Sequence, residues 1–311
     1  MTETTPNIRL GTRNSPLAMA QAYETRQRLC EAHGWSEDQV ELVPVVASGD
    51  KVLDRPLAEI GGKALWTKEL DHWLHEGTID ASVHSMKDVE TLRPETLEIA
   101  AILPRADTAD RLVGASSVES IPEGATVGTS APRRAAQLLH ARPDCNVVSF
   151  RGNVATRLSK LEKGEADCTL LASAGLDRLG EDAIGARLDP ETWLPAPAQG
   201  AIGIECRADD PQTKSYIAAI DHKPSHQAVM AERALLKALG GNCHSPIAML
   251  TTAQDDVLAL RCALFSPDGS ERIEATHSGV PDDLTWVAAM GDDLMARLTP
   301  GMAAHFGHHE G

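Results

Sequence analysis

Apolar and polar positions follow two rhythms through the first two hundred residues. Short runs rich in β-branched or apolar side chains, such as Ile8-Arg9-Leu10, Val40 to Val46, Ala81-Ser82-Val83, Val147-Val148-Ser149-Phe150 and Thr169-Leu170-Leu171, alternate with longer stretches of helical spacing. That alternation predicts βαβ units and mainly parallel sheets. Helix starts are marked by Ser15 followed by Pro16, and by Asn153 ahead of Val154, each a side chain able to accept from the first free amides of a helix. After Asp221 the rhythm changes. A helix from about Ser225 to Leu239 is predicted, then strands over Leu258 to Phe265 and Arg272 to Thr276 joined by the turn Ser266-Pro267-Asp268-Gly269, and a last helix from Asp283 to Leu298. This predicts a small α+β domain at the end of the chain.

The strand ends repeat weakly. Leu10-Gly11-Thr12-Arg13 is matched by Val127-Gly128-Thr129-Ser130, and the run from Gly77 to Val83 by the run from Gly164 to Leu170. Two similar α/β lobes with a cleft between them explain both matches, and ligands of such sheets bind at the carboxyl ends of the strands.

Composition narrows the chemistry. The 311 residues suffice for two or three domains, and 45 acidic against 29 basic side chains give a formal charge of −16. That balance argues against nucleic acid or anionic membrane as a general partner. No apolar run approaches the ~18 residues of a membrane span, and the first residues lack the regions of a signal peptide, so a cytoplasmic location is expected. The six cysteines are widely spaced without a C-x-x-C pair, and the twelve histidines form no ligand motif, so reduced thiols and no metal are expected.

Against this acidic background, basic and hydroxyl side chains gather at strand ends. Gly128-Thr129-Ser130-Ala131-Pro132-Arg133-Arg134 combines helix-start amides, hydroxyls and two guanidinium groups; Arg151 and Arg157 flank Asn153; Arg13 and Ser15 hold the equivalent place in the first lobe. The combination suits a ligand carrying several anionic groups, carboxylates or phosphates. Lys87 and Asp88 stand side by side after the strand ending at Val83, where the carboxylate can act as acid, base or cation stabiliser. Gly61-Gly62-Lys63 adds a basic residue on a glycine-rich segment. Among the cysteines, Cys262 and Cys168 fall in apolar strands, whereas Cys243 occupies the loop Gly240-Gly241-Asn242-Cys243-His244, where a thiol can be presented to a ligand.

The ordered set Thr12-Arg13-Asn14-Ser15-Pro16, Gly61-Gly62-Lys63, His84-Ser85-Met86-Lys87-Asp88-Val89, Val127 to Ser130 with Arg133-Arg134, Arg151-Gly152-Asn153 with Thr156-Arg157, Gln199 to Glu205, and Glu232-Arg233-Ala234 leading to Cys243 resembles the porphobilinogen deaminase (hydroxymethylbilane synthase) family. The resemblance implies an enzyme that condenses four porphobilinogen molecules into linear hydroxymethylbilane with release of four ammonia molecules. It implies a dipyrromethane cofactor held through a thioether by Cys243, with Asp88 assisting ammonia loss, stabilising the cationic azafulvene-like species and helping proton transfer. Ser15, Lys87, Thr129, Ser130, Arg133, Arg134 and Arg151 would bind the cofactor, and Arg13, Lys63, Arg157, Arg178 and Gln199 the substrate.

The implied fold is two lobes like a type 2 periplasmic binding protein, 1–103 with 199–220 as the catalytic lobe and 104–198 as the carboxylate-binding lobe, followed by a cofactor-attachment domain over 221–311. A monomer is expected. The chain departs from the family pattern at Glu59, Trp66, Glu90, Ala131, Ala198 and Asn242.

Overall fold

The computed structural model describes residues 7–45 and 67–307. In chain order the elements are β1 (Ile8–Arg13), α1 (Pro16–His33), β2 (Val40–Val45), α2 (Lys68–His75), β3 (Ala81–Ser85), β4 (Leu97–Ile102), β5 (Asp110–Val113), β6 (Thr126–Gly128), α3 (Pro132–Ala141), β7 (Asn146–Val148), α4 (Val154–Glu162), β8 (Cys168–Ala172), α5 (Ser173–Arg178), β9 (Ala186–Arg187), β10 (Ile202–Arg207), α6 (Pro211–Ala218), α7 (Lys223–Ala238), β11 (Ile247–Gln254), β12 (Val257–Phe265), β13 (Arg272–Gly279), α8 (Thr285–Ala296) and α9 (Pro300–Ala303). Two compact units result, one built from the chain up to residue 106 with 200–226, the other from 107–199 with the chain from 227 on.

The first unit carries a five-stranded sheet in the order β2-β1-β3-β10-β4. β1 runs parallel to β2 and β3, while β10 is antiparallel to β3 and β4. The cap predicted at Ser15 forms, its Oγ accepting from Ala18 N with Pro16 in the first turn of α1; Gly34, not singled out in the sequence, ends that helix at φ 67°. β3 is buried from Ala81 to His84, as its unbroken run of small, apolar and paired polar side chains requires. Asp80 joins β1 to the start of β3 by accepting from Arg9 N, Nε and Nη2.

In the second unit a five-stranded sheet has the order β7-β6-β8-β5-β9. β6 is parallel to β7 and β8, and β5 is antiparallel to β8 and β9. The two orders correspond strand for strand, β1 with β6, β3 with β8 and β10 with β5, so the sequence repeat at Gly11-Thr12 and Gly128-Thr129 marks corresponding strands, each next to the central strand of its sheet. The same unit contains the antiparallel sheet β11-β12-β13, whose core of Ile247, Met249, Leu260, Cys262 and Leu264 is closed by Leu235 of α7, by Leu239 just after that helix, and by Met290 and Leu294 of α8. Its β12–β13 turn lies tight against α3. A Cβ on Gly269, which has φ 73°, would sit 2.4 Å from His140 N, and His140 Nδ1 lies 2.9 Å from the Gly269 carbonyl oxygen.

The run expected as a strand from Val147 to Phe150 ladders only to Val148. Phe150 is buried, but its carbonyl accepts from Ser130 Oγ at 2.6 Å rather than from a neighbouring strand. Gly61, Gly62, Lys63, Glu59 and Trp66 lie outside the described residues.

Candidate active site

Asp88 ends a single 3-10 turn, Met86–Asp88, that follows β3 directly. The turn is anchored at its first residue. Met86 N donates to the Ala201 carbonyl at 3.1 Å, and the Met86 side chain is buried against Gly203 of β10, where a Cβ would sit 2.1 Å from the Met86 sulfur. Asp88 and Lys87 are half-buried. Asp88 lines a recess of about 50 Å³ together with Arg13 at the end of β1, the α1 cap Ser15, Gln21 of α1, and His84 and Ser85 of β3. Gln21 Nε2 donates to Ser85 Oγ at 2.8 Å, fixing α1 to the strand end. The structure thus brings Asp88 to Arg13 and Ser15, which lie more than seventy positions earlier in the chain.

Behind this recess lies an ionic cluster that sequence reasoning missed. Arg93 holds Glu205 through Nε and Nη2, Glu90 and Thr67 through Nη1, and Asp71 through Nη2. Burial alone would raise the Glu205 pKa, but hydrogen bonds from His84 and Arg93 outweigh it and bring it to about 2. The opposing causes also act on Arg93, where Glu205 and Asp71 overcome desolvation and raise the pKa. Glu90, a departure from the family pattern, is accounted for: its Oε2 accepts from both Arg93 and Thr67.

In the second unit, Thr129 and Ser130 follow β6 as expected. Thr129 Oγ1 accepts from Ala131 N at 3.2 Å. Arg133 and Arg134, in the first turn of α3, are turned inward. Both are 4 % exposed and share the fully buried Asp110, Arg133 Nη1 at 2.6 Å from Oδ2 and Arg134 Nη2 at 2.7 Å from Oδ1. Trp193 Nε1 and Gln199 Nε2 also donate to Asp110, and Gln199 Oε1 accepts from Arg133 Nη2. Burial disfavours the Asp110 carboxylate, yet the two guanidinium groups overcome this and hold its pKa far below the usual carboxylate range. Three residues expected to face a ligand, Arg133, Arg134 and Gln199, are therefore engaged with one another around an aspartate that the sequence did not single out. Two guanidinium groups against one carboxylate leave this cluster with a surplus positive charge.

Arg151 follows Phe150 and is half-buried, Arg157 lies in the first turn of α4 with Nε donating to the Gly152 carbonyl at 3.0 Å, and Arg178 ends α5. Asn153 caps α4 by accepting from Thr156 N.

Of the six cysteines, four are buried, Cys30 is half-buried and Cys243 is exposed. Desolvation raises the thiol pKa of Cys206 to about 12 and shifts those of Cys145, Cys168 and Cys262 upward, so these thiols stay protonated and inert. Cys243 stands at the tip of a four-residue turn: Ser245 N donates to the Asn242 carbonyl at 3.0 Å and His244 N to Asn242 Oδ1 at 2.8 Å. The departure at Asn242 thus closes the turn through its side chain. An exposed thiol on a short, hydrogen-bonded turn is chemically suited to a covalently attached group.

Residues 8–215 match the family model described as porphobilinogen deaminase, dipyromethane cofactor binding domain, and residues 226–299 match porphobilinogen deaminase, C-terminal domain. A protein named porphobilinogen deaminase from Sphingopyxis alaskensis is 54 % identical over 305 residues, covering 96 % of both chains. Another of that name from Paracoccus denitrificans is 51 % identical over 303 residues, again covering 96 % of both. Among solved structures, the periplasmic VFT2 domain of BvgS from Bordetella pertussis aligns with a TM-score of 0.40 at 15 % identity, over 72 % of this chain and 92 % of that one.

Proposed function

The chain belongs to the porphobilinogen deaminase family, and from that premise we propose how its residues divide the work of condensing four porphobilinogen molecules into hydroxymethylbilane with loss of four ammonia molecules, a transferase reaction. The observation that carries the assignment is the exposed Cys243 thiol on the Asn242–Ser245 turn, set against five cysteines that are buried or half-buried. Cys243 is the attachment point, by a thioether. When bound there, dipyrromethane supplies the pyrrole end from which the tetrapyrrole is extended.

Asp88 supplies a carboxylate in the recess, where its negative charge stabilises the cation that develops as the aminomethyl group loses ammonia. Each pyrrole brings an acetate and a propionate, so bound substrate is a polyanion. Arg13, Lys63, Lys87, Arg151, Arg157 and Arg178, with the hydroxyls of Ser15, Thr129 and Ser130, hold those carboxylates by charge-assisted hydrogen bonds. Arg133 and Arg134 contribute through the surplus charge around Asp110, and Gln199 by holding Arg133 and Asp110 in place. The three-domain division with 221–311 as the attachment domain, a monomeric state and a cytoplasmic location complete the reading, and the acidic balance leaves nucleic acid outside it.

Intact mass tests the tether: active wild-type protein carries the increment of two pyrrole units, and Cys243→Ser carries none. Asp88→Ala folds with an unchanged thermal midpoint while losing turnover. Active wild-type protein with the bare polypeptide mass would sink the assignment.

A further inference from the structure

Buried beside the recess, His84 has its two ring nitrogens in different surroundings. Nε2 lies 2.7 Å from Ser82 Oγ and 3.5 Å from Glu205 Oε2. Ser82 Oγ donates to the Glu205 carbonyl, which leaves its lone pairs to accept, and Glu205 is an ionised carboxylate clamped by Arg93. Both neighbours of Nε2 therefore accept, and the proton of a neutral imidazole belongs on Nε2. Nδ1 has no hydrogen-bond partner among the described residues, and His84 lines the recess that contains Asp88. A volume of about 50 Å³ has room for at least one water beside it.

We propose that His84 is a second proton-handling residue of this recess: its Nδ1 accepts the proton released from the pyrrole α-carbon when each new carbon–carbon bond is made, while Asp88 stays ionised. The proposal rests on the reading of the protein as a porphobilinogen deaminase. In the reaction the aminomethyl carbon loses ammonia, which leaves with the C–N electron pair, and the attacking pyrrole supplies a π pair for the new bond. The α-carbon's C–H bond then breaks, its pair returns to the ring, and the proton passes to Nδ1 directly or through one water and from there to solvent. An aspartate that took this proton would surrender the charge with which it stabilises the cation, so two groups serve the step better than one. Glu205 and Ser82 face His84 from β10 and β3, with Arg93 beyond Glu205; Asp88 and Arg13 share its recess.

Two measurements test this. Nitrogen NMR of the histidine-labelled wild-type holoenzyme is expected to show neutral His84 as the Nε2–H tautomer; the Nδ1–H tautomer would overturn the proposal whatever the activity. His84→Gln keeps a donor at the Nε2 position but places nothing at Nδ1. With a thermal midpoint close to wild type, its kcat is expected to fall about 10²–10⁴-fold with little change in KM, and the limb of the pH profile that reports the base should vanish. Wild-type kcat and an unchanged pH profile in this variant would also overturn it. Failure of the family reading is separate, because it would show in the wild type as no porphobilinogen consumed and no mass on Cys243.

Discussion

Arg93 grips both carboxylate oxygens of Glu205, Nε at 2.9 Å from Oε1 and Nη2 at 2.7 Å from Oε2, where the Glu205 side chain is 1 % exposed. The folded state thereby lowers the Glu205 pKa from 4.5 to about 2. A depressed carboxylate pKa means that the folded state favours the ionised form. Its contribution is fully present above pH 4.5 and disappears as pH falls towards 2, and the shift corresponds to on the order of 3 kcal/mol. Urea denaturation across this acid range is expected to show a steep loss of stability in the wild type. Glu205→Gln should be less stable at neutral pH and visibly flatter between pH 4.5 and 2; parallel curves for the two proteins would contradict the linkage.

Asp110 is shared by Arg133 and Arg134. Removing it strands two buried guanidinium groups, which is costlier than losing an exposed pair. Asp110→Asn keeps the shape and one acceptor but loses the charge, and a destabilisation of about 3–5 kcal/mol is expected from a shift in the denaturant midpoint. A change below about 1 kcal/mol would mean that the pair interacts as weakly as a surface ion pair.

Local patterns were legible in the sequence because the causes were local. Ser15 and Asn153 cap helices within three residues of themselves, and the Gly-Thr repeat falls on β1 and β6, which hold the same place in the two sheet orders. The buried networks were not legible. Arg133 reads as a ligand-facing cation until Asp110, twenty-three residues earlier, is folded beneath it, and Glu205 meets Arg93 only because β10 returns to lie between β3 and β4. The role of Asn242 was hidden for a different reason: its side chain bonds two residues away, yet only the backbone path shows that the carbonyl and the amide oxygen close the same turn.

Two departures from the family pattern sit where the backbone makes a specific demand. Ala198 has φ 57°, a left-handed conformation that costs an L-residue about 1–2 kcal/mol. Ala131 is the N-cap of α3 and offers no side-chain acceptor. Ala198→Gly is expected to stabilise by up to about 1 kcal/mol once the greater freedom of unfolded glycine is subtracted. Ala131→Ser should add about 1 kcal/mol through a cap to α3. Calorimetry on each variant and on the pair checks both, and with no shared partner between the two side chains the effects should add.

Gly203 tests how firmly the fold holds Asp88. It pairs with His84 on one side and Ile102 on the other, and a methyl group there would stand 2.1 Å from the Met86 sulfur and 3.2 Å from Ile102 Cδ1. The strand cannot yield, because β10 is bonded along both edges, so the side chain of Met86 must. Met86 begins the turn that ends in Asp88, and its displacement moves the carboxylate without touching it. Gly203→Ala is expected to cost about 1–3 kcal/mol of stability from overpacking and to reduce turnover tenfold or more, since ~1 Å of misplacement can cost about a hundredfold in rate. Adding Met86→Ala to that variant makes room for the new methyl group. Partial recovery of turnover in the double variant would assign the loss to the displaced methionine; a single variant as active as wild type would show that the turn does not depend on this packing.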